Sequence, residues 1–202
     1  MYEQKICDYL RELGAKKAVP GGGAVAALNG AQGAALVMMV ANFTVGKERY
    51  TAFEELCLKA RDEAEQLRDV LEQGIDDDKE AFALVSAAYG VPKNTDEEKE
   101  ARKDAIAEAS VKATEAPLGI MRSSIKGLEL AHLMIGNSNP NLVSDLYVAA
   151  DCFNAAIRSA SYNVLVNTPS IKDRGLAEKF EAECRSILEE GDRLAAEIRK
   201  QD

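Results

Sequence analysis

Apolar residues return along this chain every three to four positions, over stretches longer than strands reach. Ile6, Tyr9, Leu10 and Leu13 line one face of a first helix, which Gly14 and Lys16-Lys17 close. After Pro20-Gly21-Gly22-Gly23, the segment Ala24 to Val45 is apolar around most of its circumference, which predicts a helix enclosed by others. Within it Ala26, Gly30 and Ala34, with Ala27, Ala31 and Ala35 beside them, recur four apart and form ridges low enough for close helix crossings. From Thr51 onward Phe53, Cys57, Ala60, Ala64, Leu67, Leu71, Ile75, Phe82 and Val85 keep a helical period, giving one long helix with Gly74 as the place for a kink. Gly90-Val91-Pro92 ends it, and Thr95-Asp96-Glu97-Glu98 has the form of a capping box that starts the next helix. Pro117 is expected to kink or restart that helix, whose stripe of Met121, Ile125, Leu128 and Ile135 runs to Gly136. Asn137-Ser138-Asn139-Pro140-Asn141 reads as a loop, with helix from near Ser144 to about Asn167, where Thr168-Pro169-Ser170 stops it. Leu176, Phe180, Ile187, Leu194 and Ile198 mark a last amphipathic helix. Only Val164 to Val166 alternates in any way like a strand, and it is too short. The fold class is therefore all-α, an antiparallel bundle of long helices around a central Ala/Gly-rich helix, as one domain over residues 1–202.

Composition narrows what such a bundle does. With 202 residues and 47% hydrophobic content there is material for one substantial core. A net charge of −9, with no run of Lys or Arg beyond two, lacks the electrostatic footprint of a nucleic-acid binder. The segment Ala24 to Val45 carries Asn29, Gln32 and Asn42 among weakly hydrophobic Ala and Gly, so it reads as a buried helix and no membrane partner is expected. The N-terminal MYEQKICDYL has no basic-then-apolar order, which implies no signal peptide and a cytoplasmic protein. Cys7, Cys57, Cys152 and Cys184 are widely spaced and read as reduced, structural thiols. A single histidine, His132, makes no metal site, and its place on an apolar stripe suits a packing residue better than a general base.

Two carboxylates stand out. Asp78 lies on the stripe of Leu71, Ile75 and Phe82, so it points inward, where a charge is costly unless partnered; Asp76 falls beside Glu72, Gln73 and Glu80 and reads as solvated. The competing role for Asp78 is structural, capping a helix or pairing with a lysine. Asp145 is placed in a first helical turn, where simple stabilisation by the helix dipole also explains it. Asn137, Asn139 and Asn141 are usual turn formers, although amides beside a carboxylate also suit a heterocycle. The triple glycine before a helix offers bare amides, but no preceding strand and no following GK[ST] makes it a nucleotide loop. Lys47, Arg49, Lys93, Arg102 and Lys103 sit near helix ends, as most solvated cations do.

Five segments, in this order, resemble the cyclodeaminase domain of formiminotransferase-cyclodeaminase and its stand-alone bacterial relatives, which include methenyltetrahydrofolate cyclohydrolases. They are Pro20-Gly21-Gly22-Gly23-Ala24-Val25-Ala26-Ala27 with Met39-Val40-Ala41-Asn42, Asp76-Asp77-Asp78-Lys79-Glu80-Ala81-Phe82, Pro92-Lys93-Asn94-Thr95-Asp96-Glu97-Glu98-Lys99, Ser144-Asp145-Leu146-Tyr147-Val148-Ala149-Ala150, and Tyr162-Asn163-Val164-Leu165-Val166-Asn167. The resemblance implies an all-helical homodimer acting on a tetrahydrofolate substrate without a further cofactor or metal. It implies Asp78 and Asp145 as catalytic groups, with Gly21, Gly22, Gly23, Asn42, Lys47, Lys93, Asn139 and Asn163 binding substrate. Ala24 stands where the family usually has serine, Ser170 replaces an acid common in relatives, and the family's Gly-Asn aligns with Ser138-Asn139 or, across an insertion, with Gly136-Asn137.

Carboxylates suit that chemistry. The bridging carbon of 5,10-methenyltetrahydrofolate belongs to an amidinium cation, which an ionised Asp stabilises in a water-poor pocket. Hydrolysis needs a base for water and cyclodeamination an acid for departing ammonia. The resemblance puts formiminotetrahydrofolate cyclodeaminase first, methenyltetrahydrofolate cyclohydrolase beside it, and a non-catalytic folate- or protein-binding dimer as the alternative of another class. Asp145 and Asn139 are expected to share one pocket with Asp78 and the glycine turn.

Overall fold

The computed structural model describes residues 4–200; the first three residues of the N-terminal stretch read above lie outside it. Among the described residues six α-helices follow one another: α1 (Ile6–Leu13), α2 (Gly22–Asn42), α3 (Glu54–Tyr89), α4 (Asp96–Met134), α5 (Val143–Asn167) and α6 (Arg174–Ile198). Short 3-10 segments precede α3 (Glu48–Phe53) and α5 (Pro140–Leu142) and follow α5 (Thr168–Ser170). No strand occurs among the described residues.

Local chemistry sets several of the boundaries. Thr95 and Glu98 form the expected reciprocal capping box at the start of α4, with the Glu98 N–H donating to Thr95 Oγ1 at 3.2 Å. Asp173 caps α6 through the Leu176 N–H, and Gly136 leaves α4 with a φ of 75°, a conformation that favours glycine. The helix stays continuous at both positions where a kink or restart was expected. The α3 helix runs unbroken through Gly74, which packs against Ile120 and Ala27. The α4 helix runs unbroken through Pro117, which cannot donate to the Ala113 carbonyl one turn earlier. Asn167, at the end of α5, supplies the missing donor: its Nδ2 reaches Ala113 O at 2.8 Å.

Small residues let the helices close together. A Cβ on Gly30 would meet Ser124 Oγ at 2.9 Å and the Leu71 side chain, and one on Gly127 would overlap the Phe153 ring at 2.2 Å. The α2 helix packs against α3, α4 and α5, and α6 closes the far side of α4 and α5, where Arg158 pairs with Asp192 and Arg122 with Glu183. In one chain, however, α2 is not enclosed on all sides. A line through Val25, Asn29, Gln32, Leu36 and Met39 is left partly or fully open. By length and composition α2 is also apolar enough to cross a membrane, with a mean hydropathy of 1.6 in its best window.

Neighbours across the α2 and α3 interface fix their register, since Gly23 faces Asp78 and Gly30 faces Leu71. The last three turns of α3 therefore project beyond the start of α2 and pack on α4. That overhang explains why Phe82, on the expected core stripe, is 43% exposed.

Candidate active site

Where α2 begins, its first amides have no partners within the helix. Gly21 is the N-terminal cap, extended in backbone conformation and without a capping side chain. The carboxylate that comes to this end is Asp78, delivered by α3. It fills the space a side chain at position 23 would need: a Cβ on Gly23 would lie 1.9 Å from Asp78 Oδ1. Burial pushes the Asp78 carboxyl above the usual carboxylate range, and the Ala24 backbone amide pulls it part of the way back. A half-buried acid held against a helix N-terminus is thus poised nearer to neutrality than a surface aspartate.

Asn163, delivered by α5, borders the same turn. Its Nδ2 donates to the Ser159 carbonyl at 3.1 Å, and its amide lies 3.8–3.9 Å from where a Cβ on Gly22 would stand. Tyr9, delivered by α1, is buried within electrostatic reach of Asp78, whose charge together with burial pushes the phenol's ionisation upward. The sequence marked Tyr9 only as a helix-face residue, and a shared electrostatic environment between positions 9 and 78 has no signature in the chain. Asp76, read as solvated, is not the exposed one of the aspartates beside Asp78. Asp76 is half-buried, whereas Asp77 is the exposed one and accepts from Gln73 Nε2 at 3.0 Å.

Most of the remaining candidates lie towards the opposite end of α2. Asn42 is its exposed last residue, and exposed Lys47 leads into the turn before α3. Asn139 is buried and acts as a latch: its Oδ1 accepts from Tyr50 Oη at 2.7 Å and from the Asn141 N–H at 3.2 Å, and its own N–H donates to Thr44 Oγ1 at 3.0 Å. Asn137 faces its own helix end, with Nδ2 donating to the Leu133 carbonyl. Asp145 is half-buried in the first turn of α5. Within one chain, then, Asp145 and Asn139 do not meet Asp78 and the glycine turn: Asn139 stands against Thr44, about 30 Å of helix from Gly23, and Asp145, one turn before the Ala149 that faces Gly33, lies about 20 Å along α2 from it. Lys93 is exposed beyond the overhanging end of α3, past about three helical turns from Asp78. Among the described residues no group of three His, Cys, Asp or Glu is placed to hold a metal ion.

Comparison with known proteins gives a consistent result. The sequence profile described as formiminotransferase-cyclodeaminase matches residues 5–186. A methenyltetrahydrofolate cyclohydrolase from Methylorubrum extorquens is 42% identical over 195 residues, spanning 96% of this chain and 94% of its own. Rat formimidoyltransferase-cyclodeaminase is 32% identical, again over 96% of this chain, which spans only 37% of that longer protein. The crystal structure of a formiminotetrahydrofolate cyclodeaminase from Thermotoga maritima superposes with a TM-score of 0.86 at 27% identity, covering 98% of this chain and 96% of that one.

Proposed function

The chain belongs to the formiminotransferase-cyclodeaminase family, and from that premise we propose that it is a methenyltetrahydrofolate cyclohydrolase, opening the methenyl bridge with water to give 10-formyltetrahydrofolate. The observation that carries the reading is the Asp78 carboxylate, held at the glycine-lined start of α2 with its proton affinity raised. Near neutrality such a group attracts the amidinium cation when ionised and accepts a proton from water. As the water oxygen bonds to the methenyl carbon, the C=N electron pair moves onto one folate nitrogen and Asp78 takes the water's proton. The tetrahedral carbon then releases that nitrogen, to which Asp78 returns the proton, and the remaining hydroxyl loses its own proton to water as the formyl group forms. Gly22 and Asn163 border the bound ring system, and the substrate itself needs no resident cofactor.

Identity over nearly the full lengths of both chains favours the cyclohydrolase over the cyclodeaminase that the sequence resemblance put first. Cyclodeamination stays as the second reading because the Thermotoga relative is named for it, and the same acid would protonate departing ammonia. Spectroscopy separates them: purified protein should bleach the methenyl chromophore by hydrolysis faster than it generates that chromophore from formiminotetrahydrofolate. The opposite preference would establish the cyclodeaminase, and neither change would leave a non-catalytic folate- or protein-binding role. The location expected for either enzyme is the cytoplasm.

The working unit in this reading is a homodimer. Along α5 the positions Asp145, Val148, Cys152, Ala155, Ser159, Tyr162 and Val166 alternate by three and four, and Tyr162 and Val166 are 69% and 71% exposed. This row lies beside the open line of α2, because the two helices pack antiparallel with Gly22 facing Asn163 and Gly33 facing Ala149. A second copy related by a two-fold axis would cover both rows and set the Asp145 end of one α5 against the glycine end of the other chain's α2. That arrangement reunites the two halves of the candidate site.

A further inference from the structure

Phe82 follows Asp78 by one turn of α3, so the two side chains share a face of the helix, with about 5–6 Å between their Cβ atoms. The α2 helix covers that face as far as Gly23, opposite Asp78, and there gives way to the glycine turn. Phe82 therefore stands over the turn itself and is 43% exposed, whereas Ala81 beside it is buried and the exposed Lys79 and Glu80 lie on other faces of α3. The turn leaves room next to it. Among the described residues, a Cβ on Gly22 would approach only the Asn163 amide, at 3.8 Å, and one on Gly21 only the Ala18 carbonyl of its own loop, at 3.7 Å. An aromatic ring left this open adds little to the core, and it borders a carboxylate and an unfilled space together.

We infer that Phe82 is a specificity-determining residue of the Asp78 site, its ring face receiving the amidinium cation of the bound methenyl substrate. The assignment rests on the hydrolytic reading of Asp78. That cation spans two nitrogens and the reacting carbon, so it presents a flat face, and an aromatic ring attracts such a charge through its negative π-face. Asp78 and Phe82 then hold the same charge by different means, one by its carboxylate and one by its ring. The ring covers one face of the reacting carbon, and the water that Asp78 activates attacks from the other. As the carbon becomes tetrahedral the positive charge disappears, and the attraction to the ring goes with it. Phe82 therefore selects the cationic methenyl folate over the neutral formyl product without accelerating the chemical step.

The test is Phe82→Leu, which removes the π-face and keeps a large apolar side chain. With methenyltetrahydrofolate, KM should rise about tenfold, the scale of a desolvated contact between a cation and a ring, while kcat changes less than about threefold, because the lost interaction belongs to the ground state. Inhibition by 5-formyltetrahydrofolate, which carries no amidinium cation, should weaken less than about threefold. Phe82→Tyr keeps the ring and should keep the wild-type KM. Both variants should melt within about 2 °C of the wild type, as for a change on an open surface. A Phe82→Leu protein with the wild-type KM overturns the assignment. Equal losses of affinity for the cationic and the neutral folate also overturn it, by making the ring a plain apolar wall. So does a large drop in melting temperature in both variants, which would return Phe82 to the core. A wild-type protein that turns over neither folate overturns the functional reading instead, and does so before any variant is made.

Discussion

At the scale of single residues, Asp78 carries opposite demands from stability and chemistry. Because burial raises its pKa on folding, the folded chain holds this proton more tightly than the unfolded chain does. Between the ordinary carboxylate value of 3.8 and the raised one, the folded state binds more protons, so stability falls as pH rises through that window. Asp78→Asn removes the buried charge and should raise the melting temperature at pH 7 by about 2–4 °C, the scale of ~1 kcal/mol in a chain of this size. The gain should vanish in acid below pH 3.8, where the wild-type group is protonated in both states. Turnover by the same variant should fall at least ~100-fold, as for loss of a positioned base. A variant both less stable and fully active would identify Asp78 as a structural cap. The inward direction of this residue was legible from its period against Leu71 and Ile75. Its partner was not, because nothing local to position 78 encodes the amide of Ala24.

At the scale of elements, the helices were legible almost to their ends, since capping residues, glycine and proline act on their immediate neighbours. What escaped were the features that depend on which residue of a second helix stands opposite. Pro117 carries the local signal of a break, and the break is repaired from α5 by Asn167, some fifty positions away. Asn167→Leu should strand the buried Ala113 carbonyl at a cost of about 1–3 kcal/mol, read as a lowered midpoint in urea with an unchanged m-value. Gly23 makes the complementary case. Alanine in a helix is ordinarily worth about 1 kcal/mol over glycine, yet a Cβ here falls on the Asp78 carboxylate. Gly23→Ala should therefore gain nothing in thermal stability and should lose activity to the same degree as Asp78→Asn, because it expels that carboxylate from the start of α2. If Gly23→Ala proved stabilised and active, the carboxylate would not be needed where it stands. Phe82 shows the same limit from the other side: its period places it in a core, and the overhang of α3 past α2 leaves it open.

At the scale of the whole molecule, the open questions in one chain answer one another. The Ala/Gly-rich helix expected to be enclosed has an open line, α5 shows an apolar row beside it, and Asp145 lies about 20 Å of helix away from Asp78. The family resemblance implied one pocket for both aspartates but could not say whether one chain or two would build it, since helix periodicity reports faces and not symmetry. A two-fold pairing across α2 and α5 predicts a specific behaviour of mixtures. Asp78→Asn and Asp145→Asn homodimers should each be nearly inactive. Unfolded together and refolded at equal concentration, about half of the dimers should be mixed by random pairing. Each mixed dimer has one site made from the two intact aspartates and one made from both altered ones, so about a quarter of wild-type turnover should return. Sites contained within single chains would return none, because every site in the mixture would keep one substitution. Adding Tyr162→Glu to both variants puts a charge into the apolar row and should abolish the recovery, with a shift towards monomer in sedimentation. Recovery that survived this charge would move the subunit contact away from α5 and leave Asp145 as the helix-end stabiliser its position in the first turn also allows.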